Sequence, residues 1–413
     1  MSSIRSASRL VGALLTVALA VVVFATIASA SVKATTITIW TDKDRAAAVQ
    51  KVASAWGASK GVTINVVTKD FGSIRDNLKT VDASAAPDVI VGAHDWVGEL
   101  SANGLVLPLF PSAATLKQFP GYALSAFSYG TAVKRLYGAP VALENIALVT
   151  NTSVAKVPKT FSSLESQALK FQKKGSGNIG LAVQQGAGGD AYHMYPFFSG
   201  LCGYIFGNNS AGNLDPSNIG VANKKFLANA SLIDKWNKEK LINAKVDSGT
   251  AQNAFTTGKA AFWITGPWNI DTLRKSGVKF AVSAFPKISC NSVPFLGVQG
   301  FMVTKYSTDH GVESLAKDLV SNYMMQPDAQ VDLAAANGRF PANLTAAKRV
   351  SDPVLKQFGK ASVGGVPMPN IPQMASVWGD LGGAWVNSTK GAGATPAKRS
   401  FSTASRNIAN KIG

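Results

Sequence analysis

The sequence predicts an α/β protein with more than one domain. Short β-branched runs recur roughly every 25 residues after residue 35, with helical periodicity between them, the pattern of βαβ units. The 413 residues exceed what one hydrophobic core usually serves. A hydrophobic content of 46% supports well-buried cores and sets global disorder aside.

The elements follow in order. "MSSIRSASR" supplies Arg5 and Arg9, "LVGALLTVALAVVVFATIA" is apolar, and "ASA" ends at Ala30. A charged segment, an apolar segment and a small-residue cleavage site predict a signal peptide over 1–30, with Ser31 as mature N-terminus. The apolar run is also long enough to span a bilayer, so retention as an anchor is the alternative. No cysteine lies near the cleavage site, and a lipoprotein anchor is therefore not expected. "TTITIW" alternates as a strand, and "DRAAAVQKVASAWGASKG" spaces Val49, Val52, Ala53 and Trp56 as a helix stopped by Gly61. "VTINVVT", "SIRDNLKTVDASA" and "PDVIVG" continue as strand, helix and strand, which predicts a mainly parallel sheet covered on both faces. In such sheets ligands bind beyond the carboxyl ends of the strands. Those ends, "WTDKDR" and "GAHDWVGE", both set carboxylates beside an indole.

Further along, "LYGAPVALENIALVTNTSV" predicts a strand pair around Glu144, "SSLESQALKFQKKGSG" a helix and "NIGLAVQQ" a strand. The stretch 211–242 predicts a loop followed by one long amphipathic helix. "QNAFTTGKAAFWITGPWNIDTLRKSG" predicts helix, strand and a helix start at "GPW". "VKFAVSAFPKI" and "PFLGVQGFMVT" are strands, a helical region from Asp309 breaks at "NGRFPANLT", and the polar C-terminus predicts a weak final helix.

The net charge of +18 invites a nucleic-acid partner. The lysines are scattered in short doublets, with no recognition helix or zinc spacing beside them, so a solvated basic surface facing an anionic cell envelope is the reading instead. Cys202 and Cys290, in an oxidising compartment, are expected to bond. His94, His193 and His310 show no metal spacing, and His94 reads as structural. No phosphate-binding "GxxxxGK[ST]" stretch occurs.

The order "ITIWTDKDR", "PDVIVGAHDWVGELSANGLVLPL", "PVALENIALVTN", "AFWITGPWNI", "NGRFPANLT" and "MPNIPQMASVW" resembles the maltose/maltodextrin-binding proteins of ABC importers. The resemblance implies a periplasmic-binding-protein-like fold: two α/β lobes of discontinuous segments around a hinge and a central ligand cleft. By analogy the N-lobe is 35–142 plus 298–345 and the C-lobe 143–297 plus 346–413. It implies a sugar-binding monomer that works with membrane permease subunits, without catalysis, cofactor or metal.

A hexose has an apolar C–H face that suits a flat ring and a rim of hydroxyls that suits charged partners. Hydrogen bonds to ionised groups contribute about 1.5–3 kcal/mol, against 0.5–1.5 for neutral ones. The resemblance places Asp42, Asp44 and Arg45 in a hydroxyl-binding cluster, with an N-cap as the alternative and sugar contact favoured for Asp44. It assigns Asp95 to a hydroxyl, Glu144 to the lobe crossover, Asp190 and Tyr192 to an acid and a stacking ring, and Trp268 and Trp378 to the main platforms. Trp385, two helical turns beyond Trp378, is assigned to the core.

The chain also departs from the best-known members. Gly92 stands where they carry a tryptophan, Trp96 where they carry an arginine, and Gly382 replaces a second arginine. An indole moved four positions along would make Trp96 a platform, and maltose itself becomes less secure than longer maltodextrins, cyclodextrins, trehalose or another oligosaccharide. The competing readings are a glycosidase pairing Glu144 with Asp190 and a polyamine or iron binder.

Overall fold

The structure, a computed structural model, describes residues 35–130 and 133–413. The expected signal peptide and Ser31 lie outside the described residues. Alternation in TITIWT buries Ile37 and Ile39 and forms β1 (Thr36–Thr41). Asp42 then caps α1 (Lys43–Lys60), which buries Val49, Val52, Ala53 and Trp56 on one face and stops at Gly61, whose φ of 67° suits a residue without Cβ. β2 (Thr63–Thr68), α2 (Phe71–Thr80) and β3 (Val89–Ala93) complete a parallel unit, with β1 between β2 and β3.

The stretch around Glu144 departs from expectation. β4 (Ala139–Asn145) and β5 (Ala147–Asn151) are separated only by Ile146, yet they do not pair. β4 joins the sheet of β1. β5 enters a second sheet with β6 (Ile179–Ala182), β7 (Ala260–Thr265) and β8 (Phe280–Ser283), in the order β8-β5-β7-β6. The chain returns through β9 (Phe295–Val303), which lies antiparallel between β4 and β3. With β10 (Phe340–Pro341) and β11 (Val366–Pro367) the first sheet has seven strands, ordered β10-β4-β9-β3-β1-β2 with β11 on β9. Both sheets are therefore mixed rather than mainly parallel, because strands entering from the other sheet arrive reversed. The expected lobe boundaries at 142/143 and 297/298 fall inside β4 and β9. The chain changes sheet at Ile146 and again between Ser283 and Phe295.

Helices α3 (Phe161–Gln172) and α5 (Ile270–Lys275) pack on the second sheet, and α4 (Ala191–Gly200) contacts β9 and the later helix Ala375–Thr389. Cys202, just past α4, is bonded to Cys290 in the loop that leads to β9, as expected. The single long helix expected before residue 242 is instead a strand, Leu214–Ile219, paired with Phe206–Asn208, followed by two helices, Lys224–Asn229 and Ser231–Lys238. Each helix buries one large aromatic, Phe226 and Trp236.

The C-terminus is firmer than expected. α6 (Ala375–Thr389) packs on α7 (Ala397–Ile412), which buries Ala397, Phe401, Ala404 and Ile408 at helical spacing. Those four residues are dispersed among charged ones, so composition hides a face that periodicity marks. Trp385 is fully buried against Phe401, 5.1 Å between ring centroids, in the core as assigned.

Candidate functional site

The ends of β1, β3, β4 and β7, together with the first turns of α4 and α6, converge between the two sheets. The turn after β3 begins with His94, whose ring contacts the Met368 carbonyl (3.0 Å) and accepts from the Val298 amide (3.1 Å). Burial lowers its pKa to about 4, so it is a neutral, structural histidine as read. It fixes the turn that presents Asp95. Asp95 accepts a hydrogen bond from Trp378 Nε1 at 3.0 Å, and burial, opposed by Arg75 and by this bond, raises its pKa to about 6.

Trp378 sits in the first turn of α6. The turn before it is held by Asn370, which donates to the carbonyls of Ser125, Ala126 and Ser128. The Trp378 ring meets Phe295 edge-on at 5.8 Å, and Phe295 stacks on Tyr192 at 6.2 Å and 18°. Tyr192 lies 6.4 Å from Trp268, which follows β7 in a turn made tight by Gly266. A Cβ on Gly266 would lie 2.1 Å from that indole. Trp268 and Trp378 are both half-buried and joined through Phe295 and Tyr192.

The charged groups sit on the same cluster. Glu144 on β4 pairs with Arg339 and accepts from Gln299 Nε2 at 2.7 Å. Burial pushes its pKa up, but Arg339, Arg45 and these hydrogen bonds outweigh it and hold the carboxyl below the usual range. The Arg339 guanidinium lies 5.4 Å from the Trp268 ring centre. Asp190 caps α4, accepting from the His193 amide (2.9 Å), His193 Nδ1 (2.8 Å) and Gln184 (2.7 Å). Burial opposes its ionisation, yet His193 and Gln184 bring its pKa below the ordinary value. Burial, then Glu144, push the Tyr192 phenol well up; Asp190 and Asp95 add to this and Arg339 opposes it. One phenol thus senses acids from both sheets.

Asp42 follows the N-cap alternative: it accepts from the Asp44 amide at 3.0 Å and pairs with Arg45. Arg45 is buried over the Phe71 ring at 5.0 Å, and burial, with Arg339 nearby, lowers its pKa. Asp44, the favoured sugar contact, is exposed in the first turn of α1. Trp96 is only 6% exposed and packs on Phe71, so its ring is a wall rather than an open platform. Its position nonetheless explains Gly92. A Cβ there would lie 2.2 Å from the Trp96 ring, so the indole fills the space above residue 92. At Gly382 a Cβ would meet the Gly188 carbonyl at 3.0 Å, because the Gly-rich loop before α4 comes backbone-close to α6.

Sequence reasoning assigned no role to Phe295, Gln299, Arg339 or His193. Arg339 stands in "NGRFPANLT", where nothing local marks its burial. Phe295 opens an apolar strand and carries no signal of its own. Tyr192 Oη, His193 Nε2 and Gln299 Oε1 are buried without a hydrogen-bond partner among the described residues. Buried polar groups are nearly always satisfied, so exceptions such as these call for a partner, for which a ligand or an ordered water would serve. Flat rings, charged acceptors and unsatisfied polar atoms together suit a polyhydroxylated ligand.

Comparison with known proteins agrees with this geometry. Residues 51–358 match the family described as bacterial extracellular solute-binding protein. The chain is similar to the galactooligosaccharide-binding protein of Bacillus subtilis (strain 168), 26% identical over 377 residues covering 85% of this chain and 84% of that one. It is also similar to the maltodextrin-binding protein MdxE of the same organism, 27% identical over 350 residues covering 80% and 79%. Among solved structures, the Thermus thermophilus maltotriose binding protein bound with maltotriose superposes with a TM-score of 0.80 at 28% identity, covering 91% of this chain and all of that one.

Proposed function

Because the chain belongs to the bacterial extracellular solute-binding protein family, we propose that it captures maltodextrin-type α-glucosides outside the cytoplasm and delivers them, unaltered, to an ABC permease. The observation that carries this reading is the continuous cluster Trp378–Phe295–Tyr192–Trp268, flanked by Asp95, Glu144 and Arg339, between the two sheets. The rings cover sugar faces, and the acids and Arg339 meet hydroxyls. Tyr192 Oη, His193 Nε2 and Gln299 Oε1 complete the rim.

In this reading one lobe comprises 35–142 plus 298–345 and the other 143–297 plus 346–413, with the hinge formed where the chain runs from β4 through Ile146 into β5 and where it enters β9. Closure of such lobes on ligand is a motion seen in periplasmic binding proteins. Segment 1–30 directs export, and the protein acts as a monomer. Cys202 and Cys290 are bonded to each other.

A second sugar class is favoured by a specific observation. The galactooligosaccharide-binding relative is as similar to this chain as the maltodextrin-binding one. Titration calorimetry against maltotriose, a longer maltodextrin, a cyclodextrin and a galactooligosaccharide separates the two. Tightest binding of an α-glucan supports the first reading, tightest binding of the galactooligosaccharide supports the second, and no heat with any sugar rejects both.

A further inference from the structure

The smaller sheet carries a basic pole at the edge opposite the site. β5 ends there and β6, β7 and β8 begin there, since Asn151 pairs with Phe280 and Ala260 with Ile179. The other edge leads to Asp190 and Trp268. Around the pole lie Lys173, Lys174, Lys238, Lys240, Lys259 and Lys279, all exposed. The Ile179 amide donates to the Lys259 carbonyl and the Thr152 amide to the Lys279 carbonyl, both at 2.9 Å, so these lysines flank the strand ends. Lys173 and Lys174 lie in the loop entering β6, and Gln172 donates to the Glu239 carbonyl at 3.1 Å, bringing Lys238 and Lys240 to the same helix end.

None of the six ammonium groups forms an ion pair among the described residues. The neighbouring carboxylates, Glu165 and Glu239, instead face Lys235 at 2.9 and 3.8 Å. Beside Lys279, the loop after β5 exposes Val154 at 38% and Val157 at 42%. Unpaired cations alone would suit any polyanion. Cations interleaved with exposed valines match a lipid surface, where ammonium groups meet phosphates and short apolar side chains enter the headgroup boundary.

We propose that this pole docks the protein on an anionic phospholipid bilayer, with the sugar site directed away from the membrane toward the medium. Docking then favours capture, and delivery requires the protein to leave or turn over the surface. Each lysine near an anionic leaflet raises partition by roughly fivefold, an effect that salt screens.

The test is co-sedimentation of the full chain with phosphatidylcholine vesicles and with vesicles in which a third of the lipid is phosphatidylglycerol. The N-terminal apolar segment contributes on both, so the ratio between them reports the pole. One variant carries Lys173→Glu, Lys174→Glu, Lys259→Glu and Lys279→Glu. A control of equal net charge carries Lys117→Glu, Lys348→Glu, Lys360→Glu and Lys390→Glu, and unchanged thermal unfolding of both shows that they remain folded. The wild-type preference for anionic vesicles should be about tenfold or more at low salt. It should collapse in the first variant and persist in the control. Equal loss in both variants, or no preference in the wild type, overturns the proposal. Val154→Ser with Val157→Ser should weaken vesicle binding several-fold while leaving retention on a polyphosphate column unchanged. Unchanged vesicle binding there overturns the assignment of the pole to lipid.

Discussion

Asp95→Asn separates a ligand-binding acid from a structural one. Asp95 is 5% exposed, and burial raises its pKa from the ordinary 3.8 to about 6 despite Arg75 and the Trp378 bond. Because the folded pKa is the higher, stability is undiminished below the unfolded value and is lost as pH rises through about 6. Two pKa units correspond to about 3 kcal/mol of cost at neutral pH. Asparagine keeps an acceptor for Trp378 Nε1 and removes the buried charge. The variant should therefore be more stable than wild type by about 1–3 kcal/mol at about pH 7.5, with the gap closing toward about pH 4. Its sugar affinity should fall by about tenfold or more, since a neutral acceptor replaces an ionised one. Denaturant melts across that pH range and titration calorimetry measure both. A variant that loses stability at neutral pH, or binds sugar as well as wild type, refutes the reasoning.

Four further outcomes follow from the structure. Trp268→Ala and Trp378→Ala should each weaken oligosaccharide binding by about tenfold or more in fluorescence titration while the protein stays folded. Trp385→Ala should instead cost about 3–5 kcal/mol of stability in denaturant melts. Replacing Cys202 and Cys290 by serine opens a link spanning 88 residues and should lower the denaturation midpoint by an amount equivalent to about 2–4 kcal/mol, with no further effect of reductant. Glu144→Ala removes the acid that pairs with Arg339, while Arg45 keeps Asp42, and should destabilise by about 3–5 kcal/mol, read in the same melts. In the wild type, Glu144 has its pKa below the ordinary value, so its contribution is complete above the unfolded value and is lost as pH falls through the folded one.

The local elements were legible where one face is buried and both ends are marked, as in α1 between Asp42 and Gly61. The exchange of strands between sheets was not. Nothing local distinguishes Glu144 and Asn145 from Ala147 and Leu148, and only the pairing partners, far away in sequence, send them to different sheets. At the site, indoles and acids stood out because such residues are costly to place beside one another without a purpose. Phe295 and Gln299 did not, since an aromatic and an amide in a strand look like any core strand until their neighbours are known. Trp96 shows the limit of motif transfer. The Trp96 indole fills the space above Gly92, but that ring packs inward against Phe71.

The most direct measurement is calorimetric titration of the protein with maltotriose, followed by chromatography of the recovered sugar. Saturable one-to-one binding near the micromolar range, about −8 kcal/mol, with the trisaccharide returned intact, is the expected result. Absence of heat across α-glucans, or the appearance of shorter sugars, would contradict it.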